Sequence, residues 1–226
     1  MRTPAISSTF PLILASASPR RKRLLKQVGL PFRALPAGID EESEKGEPAE
    51  RVLSLAEKKA LSAFQKRKDH WVLGADTEVV LDNRVLGKPA DRRDAVSMLS
   101  LLSGKEHFVI TGFCILNPSG RRVHSEAVTT VVRVAGLTRQ EIEGYVVTGE
   151  VFGKAGGYAI QGIGAFIVES ITGSYSNVVG LPLNAVIRAL LKAGALKKFP
   201  LEGGDHTKCF AGVESPKERR LLPPRH

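Results

Sequence analysis

The sequence predicts an α/β fold, with helices layered on a sheet. Short apolar runs alternate with segments of helical periodicity along most of the chain. Helix-capping residues precede the periodic segments, and glycine or proline punctuates their ends.

Residues 12–15 (Leu-Ile-Leu-Ala) read as a short buried strand. Ser18 then caps a helix with Pro19 at its first position, Leu24, Leu25 and Val28 as its apolar stripe, and Gly29 at its end. A second helix is expected from Pro48 to Lys66, because Ala49, Val52, Leu53, Ala56, Ala60, Ala63 and Phe64 recur at helical spacing. Residues 71–73 form a strand that 79–81 continues or pairs with, and Asp82-Asn83 offers a tight turn toward Val85-Leu86.

Asp91 caps a third helix, Arg92 to Leu102, with Ala95, Met98, Leu99 and Leu102 inward and Gly104 closing it. Residues 107–116 make a hairpin with a return strand reaching Val134 across a turn at Asn117-Pro118-Ser119-Gly120. Thr138 caps a helix running through Val147. The glycine-rich stretch 151–164 reads as loop, 165–171 as strand, and 183–193 as the last helix, just after Pro182. From Phe199 periodicity is lost, so a folded domain at 1–198 and a flexible tail at 199–226 are expected.

With 226 residues, 42% hydrophobic and 25% charged, the chain can bury a core without disulfides. Cys114 and Cys209 lie far apart without metal or redox spacing, which points to a reducing compartment. No apolar run approaches the roughly 20 residues that span a bilayer, so no membrane partner is expected. The first 17 residues carry Arg2 and Ala15-Ser16-Ala17 but are broken by Pro11, which argues against a signal peptide and for a cytoplasmic protein. The net charge of +10 favours polyanionic partners. From Leu196 onward there are seven Lys/Arg and four Asp/Glu, so most of that charge belongs to the body of the chain.

The strongest local signal is Ala15-Ser16-Ala17-Ser18-Pro19-Arg20-Arg21: a strand end, two hydroxyls, a helix start and two arginines within seven residues. Free N–H groups at a helix start favour anions. Arg20 and Arg21 oppose the helix dipole there, which makes sense with a phosphate between them; the alternative is a surface helix whose arginines point into water. Asp76, in Gly74-Ala75-Asp76-Thr77 at a strand end, is a candidate metal ligand or base, or else a turn-forming or helix-capping carboxylate. Lys59 shares the stripe of Ala56 and Ala63, so it either snorkels to solvent or meets an anion in a cleft. Lys88 projects from the stiff Gly87-Lys88-Pro89 loop, where a solvated lysine is the plainer reading.

Asp40, Glu41, Glu42 and Glu44 form an oxygen-rich cluster of the kind that suits magnesium or manganese; taken alone they read as a solvated loop. Gln161 can read a nucleobase edge with its amide or serve as a structural glutamine. The five histidines show no zinc spacing and receive no catalytic role, and there is no G-x-x-x-x-G-K-[ST] loop.

Taken in order, these segments resemble the Maf family of nucleotide pyrophosphatases. The matches are Leu14 to Arg21, Gly74 to Thr77, Gly87-Lys88-Pro89, Leu102-Ser103-Gly104 with His107, Lys154-Ala155-Gly156, Ile160-Gln161-Gly162, and Gly173 to Pro182. The resemblance runs from Leu12 to Ala193; Gly153 departs from it, standing where the family often has an acidic residue. It implies a fold similar to that of inosine triphosphate pyrophosphatases: a mixed twisted sheet flanked by helices, with two lobes around a cleft. It also implies hydrolysis of a nucleoside triphosphate to the monophosphate and pyrophosphate, with Mg2+ or Mn2+ as cofactor, and it allows a homodimer.

By motif position, Asp76, Glu41, Lys59 and Lys88 take catalytic roles, with Glu41 and Asp76 holding the metal. Ser16, Ser18, Arg20, Arg21 and Gln161 bind substrate. The Arg20 and Gln161 pair resembles the dTTP/UTP branch, whereas the 7-methyl-GTP branch usually has an acidic residue at the Gln161 position. The rival from another class is a basic nucleic-acid-binding or cell-division regulatory protein. The charge supports it, yet no helix-turn-helix, zinc finger or interleaved aromatic pattern is present, so no specific nucleic-acid partner is expected.

Overall fold

The computed structural model describes residues 4–39, 44 and 46–201. The expected tail from 202 onward and the acidic residues Asp40, Glu41 and Glu42 lie outside the described residues.

Seven strands form one mixed sheet in the order β2-β1-β3-β5-β6-β7, with β4 pairing β3 off this path. β1 (Leu12–Leu14) runs parallel to β2 (Phe32–Ala34) and to β3 (Val72–Leu81). β3 is antiparallel to β4 (Arg84–Leu86) and to β5 (Glu106–Leu116). β5 continues antiparallel to β6 (Arg122–Val134), and β6 to β7 (Val168–Thr172). Of the two alternatives for residues 79–81 the structure shows continuation: residues 72–73 and 79–81 belong to one ten-residue strand, β3, so Asp76, expected at a strand end, stands in mid-strand. Asp82 and Asn83 both have positive φ, the conformation a two-residue hairpin turn requires, and fold β4 back on β3.

The helices are α1 (Pro19–Gln27), α2 (Pro48–Lys66), α3 (Arg92–Leu102), α4 (Arg139–Val147), α5 (Tyr175–Val179) and α6 (Leu183–Lys192). The caps act as expected. Ser18 accepts from Arg21 N, Asp91 from Asp94 N, and Thr138 forms a reciprocal capping box with Glu141. The strand expected at 165–171 begins only at Val168, because residues 162–167 wind into a 3-10 segment that turns the chain into the sheet. β2 and α5 were not expected from the sequence.

Strand alternation sends side chains to two faces. On one face, Ile13, Ala15, Val72, Cys114 and Leu116 pack against Ala56, Ala60 and Ala63 of α2. On the other are two separate cores. Leu12, Leu14, Leu73, Ala75, Phe113 and Ile115 pack with residues of α1 and α6, and partly buried Phe199 and Leu201 join them. Val79, Leu81, Val109, Val132 and Val134 pack with α3 and α4. β3 therefore enters one core at Leu73 and Ala75 and the other at Val79 and Leu81. Between those points Thr77 faces the seam between the two cores, while Asp76 and Glu78 turn to the face covered by α2.

α2 lies unusually close to the sheet. A Cβ on Gly74 would fall 2.1 Å from Ala56 O, and one on Gly112 would fall 2.5 Å from Val52 O. The glycines and the small alanine face of α2 let helix and sheet meet almost backbone to backbone, which fixes where the helix's polar edge points.

Candidate active site

A cavity of about 900 Å3 opens at the seam, lined among others by Ser16, Ser18, Arg20, Arg21, Lys59, Asp76, Lys88 and Gln161. Eight of the nine residues singled out from the sequence thus share one space. The ninth, Glu41, is outside the described residues, although Gly38 and Ile39 just before it line the same cavity. Glu44, the described member of the acidic cluster, is instead held by Lys58 at 2.7 Å and Ser54 at 3.0 Å.

The two adjacent arginines have opposite surroundings. Arg20 is half-buried and makes no side-chain hydrogen bond or ion pair among the described residues; burial lowers its pKa. Arg21 is buried, and its guanidinium is spread over protein acceptors: Gly180 O at 2.7 Å, Ala75 O at 2.8 Å, Thr77 Oγ1 at 2.9 Å and Ser16 Oγ at 3.3 Å. The planar fork suits such divergent acceptors. Arg21 thereby ties α1 to β3 and to the Gly180 turn, whereas Arg20 faces the cavity.

The floor is built by α2 and β3. Arg51, Leu55 and Lys59 stand four residues apart on one stripe of α2 and line the cavity. Asp76 and Glu78, two residues apart, share the face of β3 that the helix covers. Two rungs cross between them: Lys59 Nζ to Asp76 Oδ1 at 2.5 Å, and Arg51 to Glu78 Oε1 at 2.9 Å. Both partners of the first rung, Lys59 and Asp76, and the Glu78 carboxylate are buried. Burial raises the Glu78 pKa; Arg51 lowers it and Asp76 adds to the rise. Of the two alternatives for Lys59, the structure shows an anion in a cleft, and that anion is Asp76.

The opposite wall comes from the β4 exit and the glycine-rich stretch. Lys88 is exposed at the rim. Lys154 donates to Glu150 O, and its pKa is lowered by burial and then by the nearby charge of Arg20. Two cations are thus brought to one wall although they repel. Gly153, the departure from the family pattern, has φ 71°, a conformation that favours glycine over aspartate. Gln161 is partly exposed, with no side-chain hydrogen bond among the described residues, so its amide is available to a ligand.

Behind this wall His107 Nε2 and Tyr158 Oη lie 2.6 Å apart, both buried. Burial lowers the His107 pKa to about 4, so the ring is neutral at pH 7. Its contact with Tyr158, which lines the cavity, ties β5 to this wall. Sequence reading missed Arg51 and Glu78 as cavity residues, and it quoted Thr77 and Lys154 only within motifs, without a site role of their own. The four-residue spacing back from Lys59 and the two-residue spacing on from Asp76 could have found the first two.

Among the described residues no three of His, Cys, Asp and Glu are grouped to hold a metal ion, and no helix is long and apolar enough to cross a membrane.

The family model described as Maf-like protein matches residues 11–193. A protein named dTTP/UTP pyrophosphatase from Syntrophotalea carbinolica is 48% identical over 191 residues, covering 83% of this chain and 87% of that one. Proteins of the same name from a Geobacter species (50% identical; 82% of this chain, 96% of that one) and from Halalkalibacterium halodurans (47%; 84% and 99%) are similar over nearly their whole length. A solved dITP/XTP pyrophosphatase from Mycobacterium abscessus aligns at 13% identity over 83% of this chain and 98% of that one, with a TM-score of 0.39, too low to bear on the argument.

Proposed function

Because the chain belongs to the Maf-like protein family, we propose that it hydrolyses nucleoside triphosphates, dTTP and UTP in particular, to the monophosphate and pyrophosphate. The observation that carries this reading is the seam itself: Arg20, Lys59, Lys88 and Lys154 surround one cavity whose floor holds the buried carboxylate of Asp76. A cationic pocket of this kind suits a triphosphate, and phosphoryl transfer needs positioning and charge neutralisation more than covalent catalysis.

In this mechanism the side chains of Arg20, Lys88 and Lys154 and the backbone N–H of Arg20 at the start of α1 take the phosphate charge. Ser16 and Ser18 shape that end of the cavity, and Arg21 holds α1 and β3 in register beneath it. Lys59 fixes one oxygen of Asp76 by its 2.5 Å contact. Asp76 Oδ2 accepts the proton of the attacking water as its oxygen bonds to the α-phosphorus. The bond from that phosphorus to the bridging oxygen breaks, and pyrophosphate leaves with the electron pair. Gln161 reads the base edge from the far wall.

The donors facing the cavity floor are carboxylate oxygens, and one of them, Glu78 Oε2, is buried without a hydrogen-bond partner among the described residues. Such donors fit a hard divalent cation. Asp76 and Glu41 would hold Mg2+ or Mn2+, which when bound would offset phosphate charge and acidify water. We place the activity in the cytoplasm, as sanitation of the nucleotide pool. The test is pyrophosphate release from a panel holding dTTP, UTP, 7-methyl-GTP and the common nucleotides. Rapid turnover of dTTP and UTP is expected, and Asp76→Asn should lower it at least about 100-fold. A preference for 7-methyl-GTP, or wild-type rates in Asp76→Asn, overturns the assignment.

A further inference from the structure

Glu78 is given no ligand role in the mechanism above, yet it is buried in the wall of the cavity, 6% exposed, one strand repeat from Asp76. Its Oε1 meets Arg51 at 2.9 Å, while its Oε2 has no hydrogen-bond partner among the described residues. A buried carboxylate oxygen without a donor is costly and calls for a missing ion or water. Arg51 does not fully answer it. Its side chain is 26% exposed and its own Nε is also without a partner, so the pair is joined through one contact only.

The neighbourhood sharpens the point. On the reading proposed above the cavity takes a polyanion, and both Asp76 and Glu78 face it. Two carboxylates repel a triphosphate unless a cation lies between. Lys59 already compensates Asp76 within the wall. We propose that Glu78 is a second protein carboxylate for the divalent cation, acting beside Asp76 on the same face of β3. This rests on the metal-dependent reading of the site and adds to it a ligand of this chain's own. Because Arg51 competes for the same carboxylate, the cation binds against it. The pair sets an affinity weaker than two carboxylates alone would give.

The test is direct binding of Mn2+ to the full-length chain, followed by the electron paramagnetic resonance of the free ion, alone and with an α,β-methylene analogue of dUTP. Glu78→Gln should weaken Mn2+ binding at least tenfold while keeping the wild-type melting curve. Arg51→Gln should strengthen it at least threefold, because the competing cation is gone. Mn2+ affinity within twofold of wild type in Glu78→Gln, alongside lost binding in Asp76→Asn, sinks the role of Glu78 and leaves the metal reading intact. Absence of Mn2+ binding in the wild type, with or without the analogue, overturns both. Should Glu78→Gln fail to fold, Arg51→Gln decides alone: unchanged or weaker Mn2+ affinity overturns the proposal.

Discussion

Lys59 Nζ and Asp76 Oδ1 approach to 2.5 Å across the floor of the cavity, with side chains only 8% and 11% exposed. A buried pair of this kind contributes little net stability compared with an apolar pair, yet breaking it by removing one partner is costly. The contact thus ties the placement of Asp76 to the helix that carries Lys59.

Replacing Lys59 by Met leaves Asp76 without its ammonium partner. A loss of about 3 kcal/mol is expected, equivalent to a fall in melting temperature of roughly 6–12 °C for a chain of this size. Adding Asp76→Asn to Lys59→Met should recover part of it, with a coupling of about 1–3 kcal/mol between the two sites. Thermal unfolding of the wild type, both single variants and the double variant checks this. Strict additivity would mean the pair has no energetic meaning.

Arg21→Lys is expected to lose stability as well as turnover, because one ammonium cannot reach Gly180 O, Ala75 O, Thr77 Oγ1 and Ser16 Oγ together. At least about 2 kcal/mol should be lost as buried acceptors go unpaired. Arg20→Lys should instead leave the melting curve unchanged and raise KM. Denaturant titration and steady-state kinetics on both variants separate the two roles, and equal stability of the two would refute the division.

His107 gives stability a defined pH dependence. Its folded pKa is about 4, against an ordinary value of 6.5, so the unfolded chain binds the extra proton between those limits. The contribution of His107 is complete above pH 6.5 and is lost as pH falls toward 4, by up to about 1.4 kcal/mol per unit. His107→Gln should remove that part of the slope. Melting curves of both proteins between pH 4 and 8 test it, and parallel profiles would count against it.

Gln161→Ala should change the ranking of nucleotides more than it changes the rate on any one. A fall of about tenfold in kcat/KM for dTTP and UTP relative to 7-methyl-GTP corresponds to one hydrogen bond at the base edge. An unchanged ranking would show that the base lies elsewhere.

Much of this architecture was legible because the signals were local. Pro48 opening α2, Asp91 capping α3 and Thr138 capping α4 each act within a few residues, and the observed helices start where those signals stand. β2 escaped notice because it is three partly exposed residues on the sheet edge, with no apolar alternation to declare it. α5 escaped because five residues are too few for a periodic stripe. The site divides the same way. Its motifs brought Arg20, Asp76, Lys88 and Gln161 into view, but the inward turn of Arg21 depends on a carbonyl 159 residues away, and no sequence pattern announces a backbone acceptor.

Gly112 sits across the ladder from Asp76, at a point where the carbonyl of Val52 presses on the sheet. On the proposed mechanism, the carboxylate that takes the proton is therefore mounted where helix and sheet backbones meet with no room for one extra methyl group, an anvil beneath the incoming nucleotide. On the same reading the base lies toward the opposite jaw, around Gly153, Gly156 and Gly157, whose backbones take shapes other residues resist. With those two roles, chemistry and selectivity sit on separate parts of the fold, and a remodelled base pocket is expected to leave the hydrolytic step intact.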